Sequence, residues 1–439
     1  MRSRIEKRIE RREARGKILR PRNLIIAIML FIAAILGIYS LPPVRERLAW
    51  RLAALQADIA YSLNPPEEAV FLPEEQPEVS HQAETSQLTA APTEVERSAE
   101  LTNVSVSTAS PMPMPTALPA QVKLEGVAHQ YQKWNNCGPA TLSMALSFWG
   151  WEGNQQDTAV YLKPNPGDVN VMPFEMTGYV EDETDMLAIR RVGGDLALIK
   201  SMVANGYAVI VEKGTDYKDG WVGHYVLVTG YDDGRDMFIT QDSLAGVDFE
   251  VAYEEILSNW RVFNYTFIIV YPSESEAEVM TLLGPWADEA WAAGHALNLA
   301  SQQIESEVGR ALYFAWFNKG SSHVLRGEYA AAASAYDVAF DLYSRLPVDE
   351  RPWRMMWYQT GPYEAYYHAG RYNDVINLAN TTLWAAARSV MEESYYWRGM
   401  AKEALGDLDG ALSDYRKSVD MNPNFGLGIE ALERLEQGS

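Results

Sequence analysis

The chain is poor in the residues that most often carry chemistry: it has one cysteine in 439 residues and only six histidines. A single thiol excludes an internal disulfide framework and any multi-cysteine zinc or iron–sulfur site. The histidines are scattered singly, without the i, i+4 pairing of a helical zinc motif, so neither a metal nor a cofactor is expected. Positive charge is scarce as well. Thirty-seven Lys and Arg face 59 Asp and Glu, a net charge of −22. No broad basic surface is left to displace phosphate counterions, which argues against a nucleic-acid partner. Apolar residues, at 47%, are not lacking, and this length suffices for two or three domains with real cores. What a lone thiol is for becomes the question.

The basic residues that do exist are gathered at one end. Residues 1–22, a basic tail, hold ten of them and three Glu, and Leu24 to Leu41 is an uncharged, almost wholly apolar run. Eighteen helical residues span about 27 Å, close to the hydrocarbon thickness of a bilayer. Pro42 and Pro43 end the run. The cationic excess on its N-terminal side predicts an uncleaved single-pass transmembrane helix over 23–41, with the tail in the cytoplasm and everything after Pro42 outside it.

Residues 42–121 read as a juxtamembrane segment followed by a stalk. From Pro65 to Pro119 there are nine of the 22 prolines, many Ser, Thr, Glu and Ala, and no Gly. Such a composition buries too little surface to offset its ordering entropy, so a disordered stalk is expected. As a flexible coil it would span roughly 40 Å.

A compact domain is expected over 122–273. Its first signal is Cys137-Gly-Pro-Ala-Thr-Leu-Ser-Met-Ala-Leu-Ser-Phe-Trp-Gly150. Pro139 suits the first turn of a helix and Gly150 its C-terminal cap, with Ala140, Met144, Ala145 and Phe148 on one apolar face. Cys137 then sits at or just before the helix N-terminus, where unpaired N–H groups and the positive end of the macrodipole favour a thiolate.

Downstream, 195–205 reads as a helix with Leu196, Ile199, Met202 and Val203 inward. Strand-like runs follow over 207–212, 224–231 and 237–242, then a short helix over 253–260 and a last strand over 264–271. A helix ahead of an antiparallel sheet makes an α+β domain. If Asp232-Asp233-Gly234 forms a three-residue hairpin loop with a left-handed Gly, His224 lies directly opposite Asp242. A two-residue Asp233-Gly234 turn would put them on opposite faces.

A thiol, an imidazole and a carboxylate are what nucleophilic acyl transfer needs. The imidazole takes the thiol proton and returns it to the leaving amine, and the carboxylate orients the imidazole. The backbone N–H of Cys137 can serve as one oxyanion donor, with Gln132 or Gln130 supplying the other. His129 competes with His224 for the role of base but lacks an evident carboxylate partner.

Gln132 and Asn136-Cys137-Gly-Pro-Ala140, then Gly223-His224-Tyr-Val-Leu-Val-Thr-Gly-Tyr231, then Ile239-Thr-Gln-Asp242-Ser243 resemble the bacteriocin-processing cysteine peptidases, the thirty-ninth cysteine-peptidase family. The chain is more similar to their stand-alone relatives, which lack the transporter. The resemblance implies a papain-like fold with Cys137 as nucleophile, His224 as base and Asp242 as orienter, and a Gln shortly before the nucleophile as oxyanion donor. In the family that Gln commonly stands six residues ahead, which here is Tyr131. Gln132, five residues ahead, is the expected donor, and Gln130, seven ahead, the alternative. No Walker motif or transporter bundle follows, so the double-glycine specificity of transporter-fused members is not carried over.

The last third repeats itself. Gly327-Glu-Tyr329, Gly370-Arg-Tyr372 and Gly406-Asp-Leu408 are spaced 43 and 36 residues apart, with Ala332, Tyr336 and Ala339 matched by Ala411 and Tyr415. This resembles degenerate tetratricopeptide repeats, an all-α solenoid over 312–439 joined by connecting helices over 274–311. Val375 and Ala379 make the middle unit atypical. The expectation is a membrane-anchored extracytoplasmic cysteine peptidase that hydrolyses peptide bonds, with repeats that recruit a protein or peptide. The alternatives are a binding scaffold that has lost catalysis, or an amide or acyl transferase using the same residues.

Overall fold

In the computed structural model the described residues are 29–30, 55–57, 59–63, 65–74 and 118–438, apart from 166, 169, 218, 219 and 387–389. They belong to two compact units, Met1–Pro66 and Glu67–Ser439. In the first unit, 29–30, 55–57 and 59–63 are helical. Among the described residues no helix is long and apolar enough to cross a membrane. The basic tail and the anchor over 23–41 lie outside the described residues, except for Met29 and Leu30, as does the stalk over 75–117.

The second unit opens with β1 (Gln121–Lys123) and the helix carrying the cysteine, α1 (Cys137–Phe148). Then come α2 (Gln155–Leu162), α3 (Pro173–Glu183), β2 (Met186–Arg191) and α4 (Leu196–Ala204). The sheet is completed by β3 (Val209–Tyr217), β4 (Gly220–Asp232), β5 (Met237–Asp242), β6 (Gly246–Ala252) and, after α5 (Tyr253–Trp260), β7 (Phe267–Pro272). The strands form one antiparallel sheet in the order β2-β7-β3-β4-β5-β6, with β1 pairing the end of β4. The domain therefore begins slightly before residue 122: the Tyr231 hydroxyl donates to the Pro119 carbonyl and Asp233 N–H to that of Ala120.

Alternation along β4 divides the core. Tyr225 and Leu227 pack with Leu142, Leu146, Met176 and Val180 of α1 and α3. Val226 and Val228 pack with Ile199, Met202, Ile256 and Trp260 of α4 and α5. α1 departs from the expected single apolar face because it lies between the sheet and the helices α2 and α3, and every residue from Gly138 to Leu146 is buried. Its C-terminus closes as expected, with Gly150 at φ +86° and its N–H donating to the Ser147 carbonyl.

The β4–β5 hairpin corrects the expected register. Asp232 pairs with Met237 around a four-residue loop, and the left-handed residue is Asp236, not Gly234. The Asp232 side chain accepts the Gly234 N–H, which lengthens the turn beyond the three residues read from sequence. Tyr231 therefore faces Phe238 instead of Arg235. A bulge between Val228 and Gly230 shifts the pairing by one, so that Leu227 faces Gln241. One step further, Asp242 stands level with Val226, and His224 is its diagonal neighbour on the same face. Without the bulge the two would face apart.

Beyond α6 (Glu276–Leu283) and α7 (Glu289–Ser306) the chain is helical: α8 (Gly309–Leu325), α9 (Tyr329–Arg345), α10 (Met355–Tyr358), α11 (Gly361–His368), α12 (Tyr372–Ala385), α13 (Glu392–Ala404), α14 (Leu408–Met421) and α15 (Gly426–Gly438). Gly327, Gly370 and Gly406 have φ of +70°, +75° and +86° and turn each hairpin between helices. Gly320 and Gly399 lie under the rings of Tyr336 and Tyr415, where a methyl group would sit 2.7 Å from ring carbon. Val375 and Ala379 are fully buried and fill the corresponding layer of the middle unit.

Both ends of this array grip the sheet domain. Asn264 donates to Ser322 and Asn318 to the Arg261 carbonyl at one end. At the other, Asn422 reaches Glu175, and Asn424 reaches the Tyr161 carbonyl.

A disordered stalk starting at Pro65 is contradicted at its beginning. Pro66–Glu68 is a 3-10 turn, and Phe71 is buried with its ring 5.0 Å from that of Phe340 and 6.0 Å from that of Tyr366. Arg351 donates to the Glu67 carbonyl, and the Glu74 N–H donates to Asp374. One aromatic anchor and two backbone contacts order an otherwise polar stretch.

Candidate active site

Cys137 is the first residue of α1, where its backbone N–H has no partner within the helix. The loop before it is fixed by two buried side chains. Gln155, at the start of α2, accepts from Lys133 N–H and Asn136 Nδ2 and donates to the Tyr131 carbonyl. Lys163 donates to the carbonyl of Asn135, a residue held at φ +55°, from 2.6 Å. Gly138 follows because Val171 lies against it, 3.1 Å from where a Cβ would be.

His224 comes from β4 and Asp242 from the end of β5; both are 3% exposed, whereas Cys137 is only half-buried. His224 Nε2 lies 2.8 Å from Asp242 Oδ1, so Nδ1 is the ring nitrogen left for the thiol. Asp242 Oδ1 also accepts the N–H groups of Leu244 and Ala245, and Oδ2 faces Lys213 Nζ at 3.3 Å. Lys213 is the direct cross-strand partner of His224.

These contacts set the charges. Burial by itself would raise the carboxyl of Asp242, but the His224 hydrogen bond and the His224 and Lys213 charges hold it well below the usual carboxylate range. Burial would likewise lower His224, yet its hydrogen bonds to Asp242 and Cys137 raise it to about 9. For Cys137, burial opposes ionisation, and the hydrogen bond and charge of His224 outweigh it, helped by the Tyr225 backbone and the Lys163 charge. The thiol pKa is therefore lowered. Both shifts run in the direction that favours a thiolate–imidazolium pair, whose two titrations belong to the pair.

The two glutamines part company. Gln132 lies beside the turn after Asp242: its N–H donates to the Ser243 carbonyl and its Oε1 accepts from the Ser243 hydroxyl, leaving the Nε2 hydrogens to offer. Gln130 instead accepts the first N–H of α2. His129 bonds Gln241 and not a carboxylate. Among the described residues no group of three or more His, Cys, Asp or Glu is arranged to hold a metal ion.

Sequence reading missed Lys213, Lys163 and Gln155. It ended the third strand at Glu212, whereas β3 runs on to Tyr217 and so carries Lys213 opposite His224. Lys163 and Gln155 come from α2 and the residue after it, for which no periodicity was evident. A lysine followed by two prolines in Lys163-Pro-Asn-Pro-Gly was the available signal.

Residues 124–267 match the family model described as Peptidase_C39 like family, and 392–425 match that of the tetratricopeptide repeat. No curated protein matches the chain. Among solved structures, a putative C39-like peptidase from Bacillus anthracis is 18% identical, covering 34% of this chain and 96% of that one, with a TM-score of 0.29. The peptidase domain of Streptococcus ComA, a bi-functional ABC transporter involved in quorum sensing, is 17% identical, covering 34% and 100%, with a TM-score of 0.28. The first tetratricopeptide repeat of Spaghetti (RPAP3), bound to an HSP90 peptide, is 21% identical, covering 29% and 91%, with a TM-score of 0.24. Cys137, His224 and Asp242 all lie within the segment that the peptidase family model matches.

Proposed function

We propose that the chain is a membrane-anchored, extracytoplasmic cysteine peptidase of papain-like fold that hydrolyses peptide bonds. What supports this reading is the 2.8 Å contact of His224 with Asp242, together with a Cys137 thiol that His224 lowers, inside the segment matched by the peptidase family model. The Cys137 thiolate attacks the carbonyl carbon, and the oxyanion meets the Cys137 N–H and the Gln132 amide. The C–N bond breaks as the imidazolium of His224 gives its Nδ1 proton to the leaving amine. Water, deprotonated by the same nitrogen, then releases the acyl group and restores the thiol. Asp242 holds the ring through Nε2 in both steps.

The tetratricopeptide-like helices serve to recruit or position a protein or peptide, as stacked helical hairpins offer an extended surface. Leu24–Leu41 anchors the chain, with residues 1–22 in the cytoplasm. Turnover of a peptide library by the wild-type chain, lost in Cys137→Ser, is the expected result. An unchanged library with a thiol of ordinary reactivity would leave a binding scaffold, and amide products formed with added amines would indicate acyl transfer. External protease on intact cells should degrade the region after Pro42; protection of that region would reverse the topology.

A further inference from the structure

The loop joining the first helical hairpin of the repeats to the second does not stay with the repeats. Arg354 Nη1 donates to the Trp221 carbonyl on β4, three residues before His224. The ring of Tyr358 lies directly on Gly223, the neighbour of His224: a Cβ there would stand 2.9 Å from two of its ring carbons. Trp221 and Phe263 meet the same ring edge-on at 5.7 and 5.8 Å. One residue earlier, the carbonyl of Trp357 accepts from Asn170 Nδ2 at 2.9 Å. Asn170 precedes Val171, the residue that backs Gly138 beside the thiol.

Trp357 and Tyr358 thus tie the loop beside Cys137 to the strand carrying His224. Both are more than nine-tenths buried. The Nε1–H of Trp357 is buried and meets no acceptor among the described residues, a cost that an acceptor brought by a ligand would remove. Burial raises the phenol of Tyr358, against the opposing charge of Arg354.

Resting on the peptidase reading, we infer that residues 352–358 close one end of the substrate cleft. The repeats thereby restrict Cys137 to peptides that terminate close to the scissile bond on that side. A chain that continued through this end would have to displace an aromatic segment anchored on both walls. Specificity for chain length is then a property of the helical region and not of the sheet domain alone.

Two readouts test this in the full-length chain. The first compares alkylation of Cys137 by iodoacetamide and by a bulky maleimide, which needs no turnover. In Tyr358→Ala and Trp357→Ala the bulky-to-small rate ratio should rise about tenfold or more, the size expected for removing a steric selection. Asn170→Ser, which removes the amide that donates to the Trp357 carbonyl and to Met172 Sδ, should raise it in the same direction and guards against misfolding of the larger truncations. The second maps cut sites in a tryptic peptide library by mass spectrometry. Wild type should cut within a few residues of one chain end only, and the variants should cut further inward. A ratio and a cut-site pattern unchanged in variants that unfold at the wild-type temperature would overturn the inference. If no peptide is cut by any form, the peptidase reading has failed and the alkylation ratio alone decides the wall.

Discussion

Asp242 Oδ1 collects three donors at once, His224 Nε2 at 2.8 Å and the N–H groups of Leu244 and Ala245 at 2.9 and 3.1 Å. Two of the three are backbone groups, so the carboxylate is held in place whether or not the imidazole is charged. It can therefore orient the ring through a whole cycle.

Replacing that charge should separate orientation from charge. In Asp242→Asn the imidazole loses the partner that raises it to about 9. The alkaline limb of kcat/KM should move down toward the ordinary histidine range, with kcat lower by on the order of 10³-fold. A pH–rate profile checks both; an unmoved alkaline limb would remove Asp242 from the site.

Lys163 acts on the thiol through a different route, by charge and by its grip on the Asn135 carbonyl. Lys163→Met should raise the Cys137 pKa and lower kcat/KM about tenfold. The pH dependence of iodoacetamide labelling reads the first effect independently of turnover. A lysine that merely packed would leave that dependence unchanged.

Glu212 predicts how stability varies with pH. It is buried opposite Tyr225, whose hydroxyl donates to it at 3.2 Å, and burial raises its carboxyl from 4.5 to about 8. Between those values the folded chain keeps a proton that the unfolded chain has lost. Its contribution is therefore fully favourable below pH 4.5 and is lost as the pH rises through 8. Glu212→Gln keeps the hydrogen-bond acceptor and cannot ionise. Denaturant unfolding of the two forms should agree at pH 4 and differ in favour of Gln by about 3–5 kcal/mol at pH 8.5. Equal stabilities at both pH values would mean that Glu212 is not held neutral.

Phe71 tests whether the segment before the stalk is part of the fold. Truncating a buried phenylalanine costs about 3–5 kcal/mol. Phe71→Ala should lower the unfolding midpoint accordingly, since Phe340 and Tyr366 lose their cover. A midpoint within a degree of wild type would show that the segment around Phe71 is not held in solution.

The local signals were legible where one residue decides the matter. Pro139 and Gly150 bounded the cysteine helix, and the strand 237–242 and helix 253–260 came out with their observed limits. The three glycines at 327, 370 and 406 marked helical turns because each needs a positive φ. The His224–Asp242 contact was anticipated for a register that the chain does not adopt. A longer turn at Asp236 and a bulge near Thr229 shift the pairing by amounts that alternation alone does not encode. Lys163, Gln155 and the Trp357–Tyr358 wall escaped because they act across the fold, from positions with no local pattern. Phe71 was hidden by its surroundings: one buried ring outweighs a composition that otherwise favours disorder.

The most direct test is the rate of Cys137 alkylation by iodoacetamide across pH, in the wild-type chain and in His224→Ala. The thiol is the chain's only one, so labelling reports a single site. Wild type should react rapidly well below pH 8.5, the range of an unperturbed thiol, and His224→Ala should lose that acid-side reactivity. Coincident profiles rising only with an ordinary thiol pKa would contradict the thiolate–imidazolium pair and, with it, the peptidase.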